Sequence, residues 1–135
     1  MNEQNQRKRI LIIEDERLIG ELFMDYLAPE GTWDVELVET GEKGLERMRA
    51  TKPDILLLDI ILPGIDGYEV LRQVKADPDL AEIPVLILSN LGQKDKITKG
   101  LSLGAEDFLV KADLEVDDIR NKIKIILKKG RATKI

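Results

Sequence analysis

The reactive side chains of this sequence are an acidic run, Glu14-Asp15-Glu16, followed by Asp59, Ser89 and Lys111. From Asp15 the successive steps are 44, 30 and 22 residues. The 135-residue chain has no histidine and no cysteine. That excludes His-based triads, thiol catalysis, disulfides and the usual zinc or iron–sulfur centres. What remains is carboxylate, ammonium and hydroxyl chemistry around a hard cation. Clustered carboxylates repel one another, and a fold tolerates them when a cation or a shifted protonation relieves the charge. An all-oxygen set suits Mg²⁺, which typically takes one or two carboxylates and keeps several waters. A lysine beside it can neutralise an incoming anion, and a hydroxyl can hydrogen-bond to it. Such a set is what phosphoryl transfer onto an aspartate requires. Taken singly, each group also has a plain structural use. Acids at a helix N-terminus complement its dipole, Asp59 and Ser89 can cap a turn or a helix, and Lys111 can be a solvated surface lysine. Pro63-Gly64 and Asp66-Gly67 are ordinary turn chemistry.

Convergence of these groups depends on the elements that carry them. Five strand-like runs occur at Arg9–Glu14, Trp33–Val38, Asp54–Asp59, Val85–Ser89 and Asp107–Val110. Ile10–Ile13 and Ile55–Leu58 are continuously apolar, as expected of parallel strands covered on both faces. Trp33–Val38 alternates better, which predicts an edge. Between the strands the period becomes helical: Leu18, Ile19, Leu22, Phe23, Tyr26 and Leu27 before Pro29-Glu30-Gly31; Leu45 and Met48; Val70, Leu71 and Val74; Ile97 and Leu101 before Gly104; and Val116, Ile119, Ile123, Ile126 and Leu127 before Gly130. Strand–helix alternation predicts an α/β domain, a doubly wound parallel sheet with right-handed crossovers. In such sheets ligands bind beyond the carboxyl ends of the strands. The acidic run, Asp59, Ser89 and Lys111 each stand at such an end.

Composition bounds the rest. A chain that is 43% hydrophobic and 35% charged is too apolar to be disordered, and its length fits one domain. We expect a polar extension over residues 1–8, the domain over 9–130 and a basic tail over 131–135. No apolar run approaches the roughly 18 residues of a membrane helix, and the polar N-terminus lacks a signal peptide's apolar core. The expectation is a cytoplasmic protein with no membrane contact. From Arg120 onward there are seven basic residues and no acidic ones, so the preceding part is strongly acidic. The basic end reads as a helix whose cations complement its dipole. It does not offset an acidic body for direct nucleic-acid binding, and aromatics at 4% leave little for base stacking.

The segments Ile-Leu-Ile-Ile-Glu14-Asp15-Glu16, Asp59 with Leu62-Pro63 and Asp66-Gly67, Pro84-Val-Leu-Ile-Leu-Ser89-Asn90, and Gly104-Ala-Glu-Asp107-Phe108-Leu-Val-Lys111 resemble, over essentially the whole chain, the receiver domain of two-component response regulators. The resemblance implies a flavodoxin-like (βα)5 fold with strand order 2-1-3-4-5. It implies a stand-alone response regulator, a phosphoacceptor signalling domain rather than an enzyme beyond its own phosphorylation and slow autodephosphorylation. Asp59 would take a phosphoryl group from a histidine kinase or histidine phosphotransfer protein. Mg²⁺ would be held by Asp15, Asp59, Glu14 acting mostly through water, and the backbone carbonyl of Ile61. Lys111 and Ser89 would contact the phosphoryl group, and Phe108 would be the switch aromatic, turning inward as Ser89 moves. Output would run through the face of helix four, strand five and helix five to a downstream protein or a phosphorylation-dependent homodimer. On that face a helical projection sets Ile125 apart from the apolar stripe, among Lys122, Lys124, Lys128 and Lys129, with Lys94, Lys96 and Lys99 nearby.

Three residues depart from the family's pattern. Glu14 stands where many members carry Asp. Ala112 follows Lys111 where a cis proline is common; a cis bond before a non-proline costs about 3–4 kcal/mol, so the loop either carries that strain or rebuilds. Ile61 and Leu91 are apolar where polar residues are frequent, which predicts slow loss of the phosphoryl group. The alternative is a receiver fold used only for interaction, without phosphorylation. A flavodoxin is disfavoured because Glu14-Asp15-Glu16 would repel a phosphate after strand one. A haloacid-dehalogenase-type phosphatase is disfavoured because Ile61 stands where its second Asp belongs.

Overall fold

The structure is a computed structural model that describes residues 7–28, 31 and 33–129, with the side chain of Val116 outside that set. Five strands, β1 (Lys8–Ile13), β2 (Trp33–Val38), β3 (Ile55–Leu58), β4 (Val85–Ser89) and β5 (Asp107–Val110), alternate with α1 (Arg17–Leu27), α2 (Gly41–Thr51), α3 (Gly67–Ala76), α4 (Lys94–Ser102) and α5 (Val116–Lys129). The sheet is wholly parallel, ordered β2-β1-β3-β4-β5. Trp33–Val38 is an edge strand, as its alternation predicts. Residues 1–6 of the expected extension, Pro29 and Glu30 of the expected helix end, Gly130 and the expected tail 131–135 lie outside the described residues. No helix among the described residues is long and apolar enough to cross a membrane.

Side-chain alternation along the strands divides the core into two layers. Leu11, Ile13, Leu56, Leu58, Val85 and Ile87 meet α2 and α3 through Leu45, Met48, Val70, Leu71 and Val74. Ile10, Ile12, Ile55, Leu57, Leu86 and Leu88 meet α1 and α5 through Leu27, Ile119, Ile123 and Ile126. Burying each such aliphatic side chain contributes about 1.5–3 kcal/mol. These two layers fix the sheet that carries the site.

The apolar stripe of α1 departs from expectation. Leu18 and Leu22 are 77% and 65% exposed, while Leu27 is buried and Phe23 packs against the core. Helical periodicity reports that a face is apolar, not that something covers it. Leu101 on α4 is also partly exposed, and Ile125 on α5 is 56% exposed, the latter as its projection predicts.

Candidate functional site

β1 and β3 end one residue earlier than the strand-like runs Arg9–Glu14 and Asp54–Asp59, yet the acids that follow remain tied to the sheet. The Glu14 N–H donates to the Val38 carbonyl at 3.0 Å, and the Asp59 N–H donates to the Ile13 carbonyl at 3.1 Å. The two carboxylates therefore grow from backbone that the sheet already fixes. Behind Asp59, the Gly67 N–H donates to the Ile60 carbonyl at 2.8 Å. A Cβ on Gly67 would collide with the Asp59 carbonyl, so only glycine lets α3 start this close to the end of β3. The Asp66 side chain caps that helix by accepting from the Glu69 N–H at 2.9 Å.

Carboxylate oxygens of Glu14, Asp15 and Asp59 lie within 4.8 Å of one another. Glu14 and Asp59 are buried and Asp15 faces solvent. Lys111, arriving from the end of β5, donates to Glu14 Oε1 at 2.5 Å and to Asp59 Oδ2 at 3.1 Å. Glu16 stands at the rim, 3.9 Å from the same ammonium. The Ile61 N–H donates to Asp59 Oδ1 at 3.3 Å, and the Ile61 side chain is 56% exposed. Asp15, Glu16, Asp59, Ile61, Asn90 and Lys111 line an open cleft of about 200 Å³.

One ammonium thus serves two buried carboxylates. Burial pushes the Glu14 carboxyl up to about 7; the hydrogen bond from Lys111 opposes this and the charge of Asp59 adds to it. For Lys111, burial favours the neutral amine, but the hydrogen bond to Glu14 and the charges of Asp59 and Glu14 outweigh it, so its pKa ends above the ordinary value. The cluster keeps its lysine charged and still carries excess negative charge. An all-oxygen donor set with that excess, two members held by backbone and one open to water, fits a small hard dication that retains waters.

Ser89 closes β4, opposite Val110 in the β4–β5 register, and is fully buried. Its Oγ accepts from the Leu91 N–H at 3.4 Å. Phe108 is buried in the structure, and a Cβ added to Gly100 of α4 would lie 3.1 Å from its ring. The ring therefore packs against α4. The Lys111-Ala112 bond is trans, and Lys111–Asp113 forms a 3₁₀ turn. The loop is rebuilt without a cis bond. Sequence reasoning assigned no role to Asn90, whose Oδ1 accepts from the Ala112 N–H at 3.0 Å; the only signal was a short polar residue just past a strand end.

A parallel sheet ordered 2-1-3-4-5, with acids after β1 and β3, a hydroxyl after β4 and a lysine after β5, accompanies a match to the response regulator receiver domain model over residues 10–124. The chain is a response regulator receiver domain. It is 37% identical over 122 residues to the DNA-binding dual master transcriptional regulator RpaA of Synechocystis, a stretch covering 90% of this chain and 49% of that protein. The receiver spans about half the length of the curated relatives it matches. Among solved structures it resembles the receiver domain of a signal transduction histidine kinase from Syntrophus aciditrophicus, with TM-score 0.84, 30% identity, and coverage of 94% of this chain and 95% of that one. It also resembles the phosphorylated cyanobacterial phytochrome response regulator RcpA, with TM-score 0.77, 30% identity, and coverage of 89% and 91%.

Proposed function

We propose that this receiver domain accepts a phosphoryl group on Asp59 from a phosphohistidine donor, a histidine kinase or a phosphotransfer protein, and signals through a protein contact. The observation that carries the reading is the shared ammonium. Lys111 Nζ bridges Glu14 and Asp59 across 97 and 52 residues of chain, an expensive arrangement unless an anion is to be received there. In the transfer, an Asp59 oxygen forms a P–O bond as the donor's P–N bond breaks, the electron pair leaving with the imidazole nitrogen. Lys111 meets the charge carried by the phosphoryl oxygens. Ser89, buried beneath the cleft, would hydrogen-bond to them after turning its hydroxyl from the Leu91 N–H. Glu14, Asp15, Asp59 and the Ile61 carbonyl would hold Mg²⁺, which when bound neutralises charge on the transferring group. The exposed Ile61 and half-buried Leu91 offer no polar group to orient an attacking water, which supports slow dephosphorylation.

The output reading rests on Ile125. It is exposed on α5 while its neighbours Ile123 and Ile126 are buried. Two lysines of that helix are engaged with β5 and its approach, Lys122 to Asp107 at 2.8 Å and Lys129 to Glu106 at 3.2 Å. A partner or a second copy presenting an apolar spot edged with acids would complement this face.

The test is calorimetric titration with beryllofluoride, a phosphoryl mimic, with and without Mg²⁺. Saturable binding that requires Mg²⁺ and is lost in Asp59→Ala is the expected result. Absence of binding in the presence of Mg²⁺ would favour a receiver fold acting only as an interaction module.

A further inference from the structure

The loop that delivers Lys111 is tied down by a side chain from the neighbouring strand end. The β4–β5 backbone ladder runs from Leu86–Asp107 to Ser89–Val110 and stops there. Immediately beyond it, Lys111–Asp113 turns as a 3₁₀ helix, closed by the Leu114 N–H donating to the Lys111 carbonyl at 3.2 Å. That bond is internal to the turn and does not determine where the turn sits. A bond from outside the turn is the Ala112 N–H donating to Asn90 Oδ1 at 3.0 Å. A backbone N–H can only donate, which fixes the side-chain amide with its oxygen toward Ala112. Asn90 thereby extends the strand pairing one step past the ladder, using its side chain.

A proline after Lys111 would have no N–H to offer; with Ala112 the donor is present and is used. The lysine has four flexible bonds between backbone and ammonium, and it must hold its Nζ on two acids from different strands. A displaced backbone anchor changes the reach that the side chain needs to keep both contacts. Asn90 also borders both the acidic cleft and the larger apolar groove beside α1, with Lys111 common to the two. Resting on the phosphoacceptor reading above, we infer that Asn90 is a positioning residue: its bond to the Ala112 N–H sets the Lys111 ammonium for the incoming phosphoryl group, the office a proline-locked loop would otherwise fill.

The test uses the full chain with acetyl phosphate as donor in saturating Mg²⁺, reading rate against donor concentration. Asn90→Ala is expected to lower the saturating rate about fivefold, the equivalent of one ordinary hydrogen bond. Mg²⁺ affinity is not expected to fall, because Lys111 is not a metal ligand and its ammonium competes with the cation for Glu14 and Asp59. The Ala112 amide should lose hydrogen-exchange protection in Asn90→Ala and keep it in Asn90→Asp, which retains an acceptor oxygen. A wild-type saturating rate in Asn90→Ala, or parallel losses of rate and Mg²⁺ affinity, overturns the inference while leaving the phosphoacceptor reading intact. A wild-type chain that takes up no phosphoryl group overturns both.

Discussion

Replacing Glu14 with Gln removes the one charge in the cleft that burial most disfavours. The Glu14 side chain is 2% exposed, and burial raises its carboxyl from the ordinary 4.5 to about 7. The folded chain therefore holds a proton on Glu14 through a pH window in which the unfolded chain has released it. Stability from this source is fully present below pH 4.5 and is lost as pH rises through about 7. Taken whole, the shift corresponds to about 3 kcal/mol. The cleft opens to water at Asp15 and Glu16, and screening reduces this to about 2 kcal/mol. Gln resembles the protonated acid at every pH. The difference in unfolding free energy, Glu14→Gln minus wild type, should thus rise by about 2 kcal/mol from pH 4.5 to pH 8 in metal-free buffer. Part of the constant offset comes from the Glu16 N–H, which donates to Glu14 Oε2 at 3.1 Å and would meet an amide group in some rotamers. The offset does not depend on pH. Urea melts of both proteins at several pH values, in chelator, give the curve directly. A difference that stays flat, or falls as pH rises, would mean that Lys111 satisfies Glu14 as a favourable ion pair, refuting the reasoning from burial.

Asp15→Ala takes away an exposed carboxylate from a repelling cluster, so the metal-free melting temperature should not fall, whereas the increase on adding Mg²⁺ should disappear; scanning calorimetry with and without Mg²⁺ checks both. In Gly100→Ala the new Cβ would stand 2.7 Å from Ile87 Cδ1 and 3.1 Å from the Phe108 ring, costing about 1–3 kcal/mol of overpacking. A lower melting temperature with shifted Phe108 ring resonances is expected, and unchanged values would show that α4 moves aside freely. Ile125→Asp should weaken association with the partner or second copy while Asp59 phosphorylation proceeds at the wild-type rate. The wild-type association should weaken with added salt, and sedimentation of wild type and variant in the analytical ultracentrifuge across a salt series reads both effects; indifference to both mutation and salt would return Ile125 to ordinary surface.

The sheet was legible because its signal is local. Ile10–Ile13 and Ile55–Leu58 are unbroken apolar runs, and both are buried on two faces. The position of the site was equally legible, since Glu14, Asp59, Ser89 and Lys111 each terminate or directly follow a run that has to be a strand. Pairings within the site were not. The contact between Lys111 and Glu14 spans 97 residues, and nothing local says that the ammonium would divide itself between β1 and β3. The exposure of Leu18 and Leu22 escaped for a different reason: their spacing is helical whether or not a sheet lies beneath them. The Ala112 N–H of the trans turn after Lys111 meets an acceptor 22 residues away, at Asn90, so Ala112 alone left two geometries open.

The central claim is that Asp59 is the phosphoacceptor and needs the acid cluster's cation. Intact-mass measurement after incubation with acetyl phosphate, with and without Mg²⁺, addresses it for wild type, Asp59→Ala and Asp66→Ala. Wild type and Asp66→Ala are each expected to gain the mass of one phosphoryl group in Mg²⁺ and none in chelator, and Asp59→Ala to gain none in either. Mass gain that persists in Asp59→Ala, or that proceeds equally well without a divalent cation, would contradict the central claim.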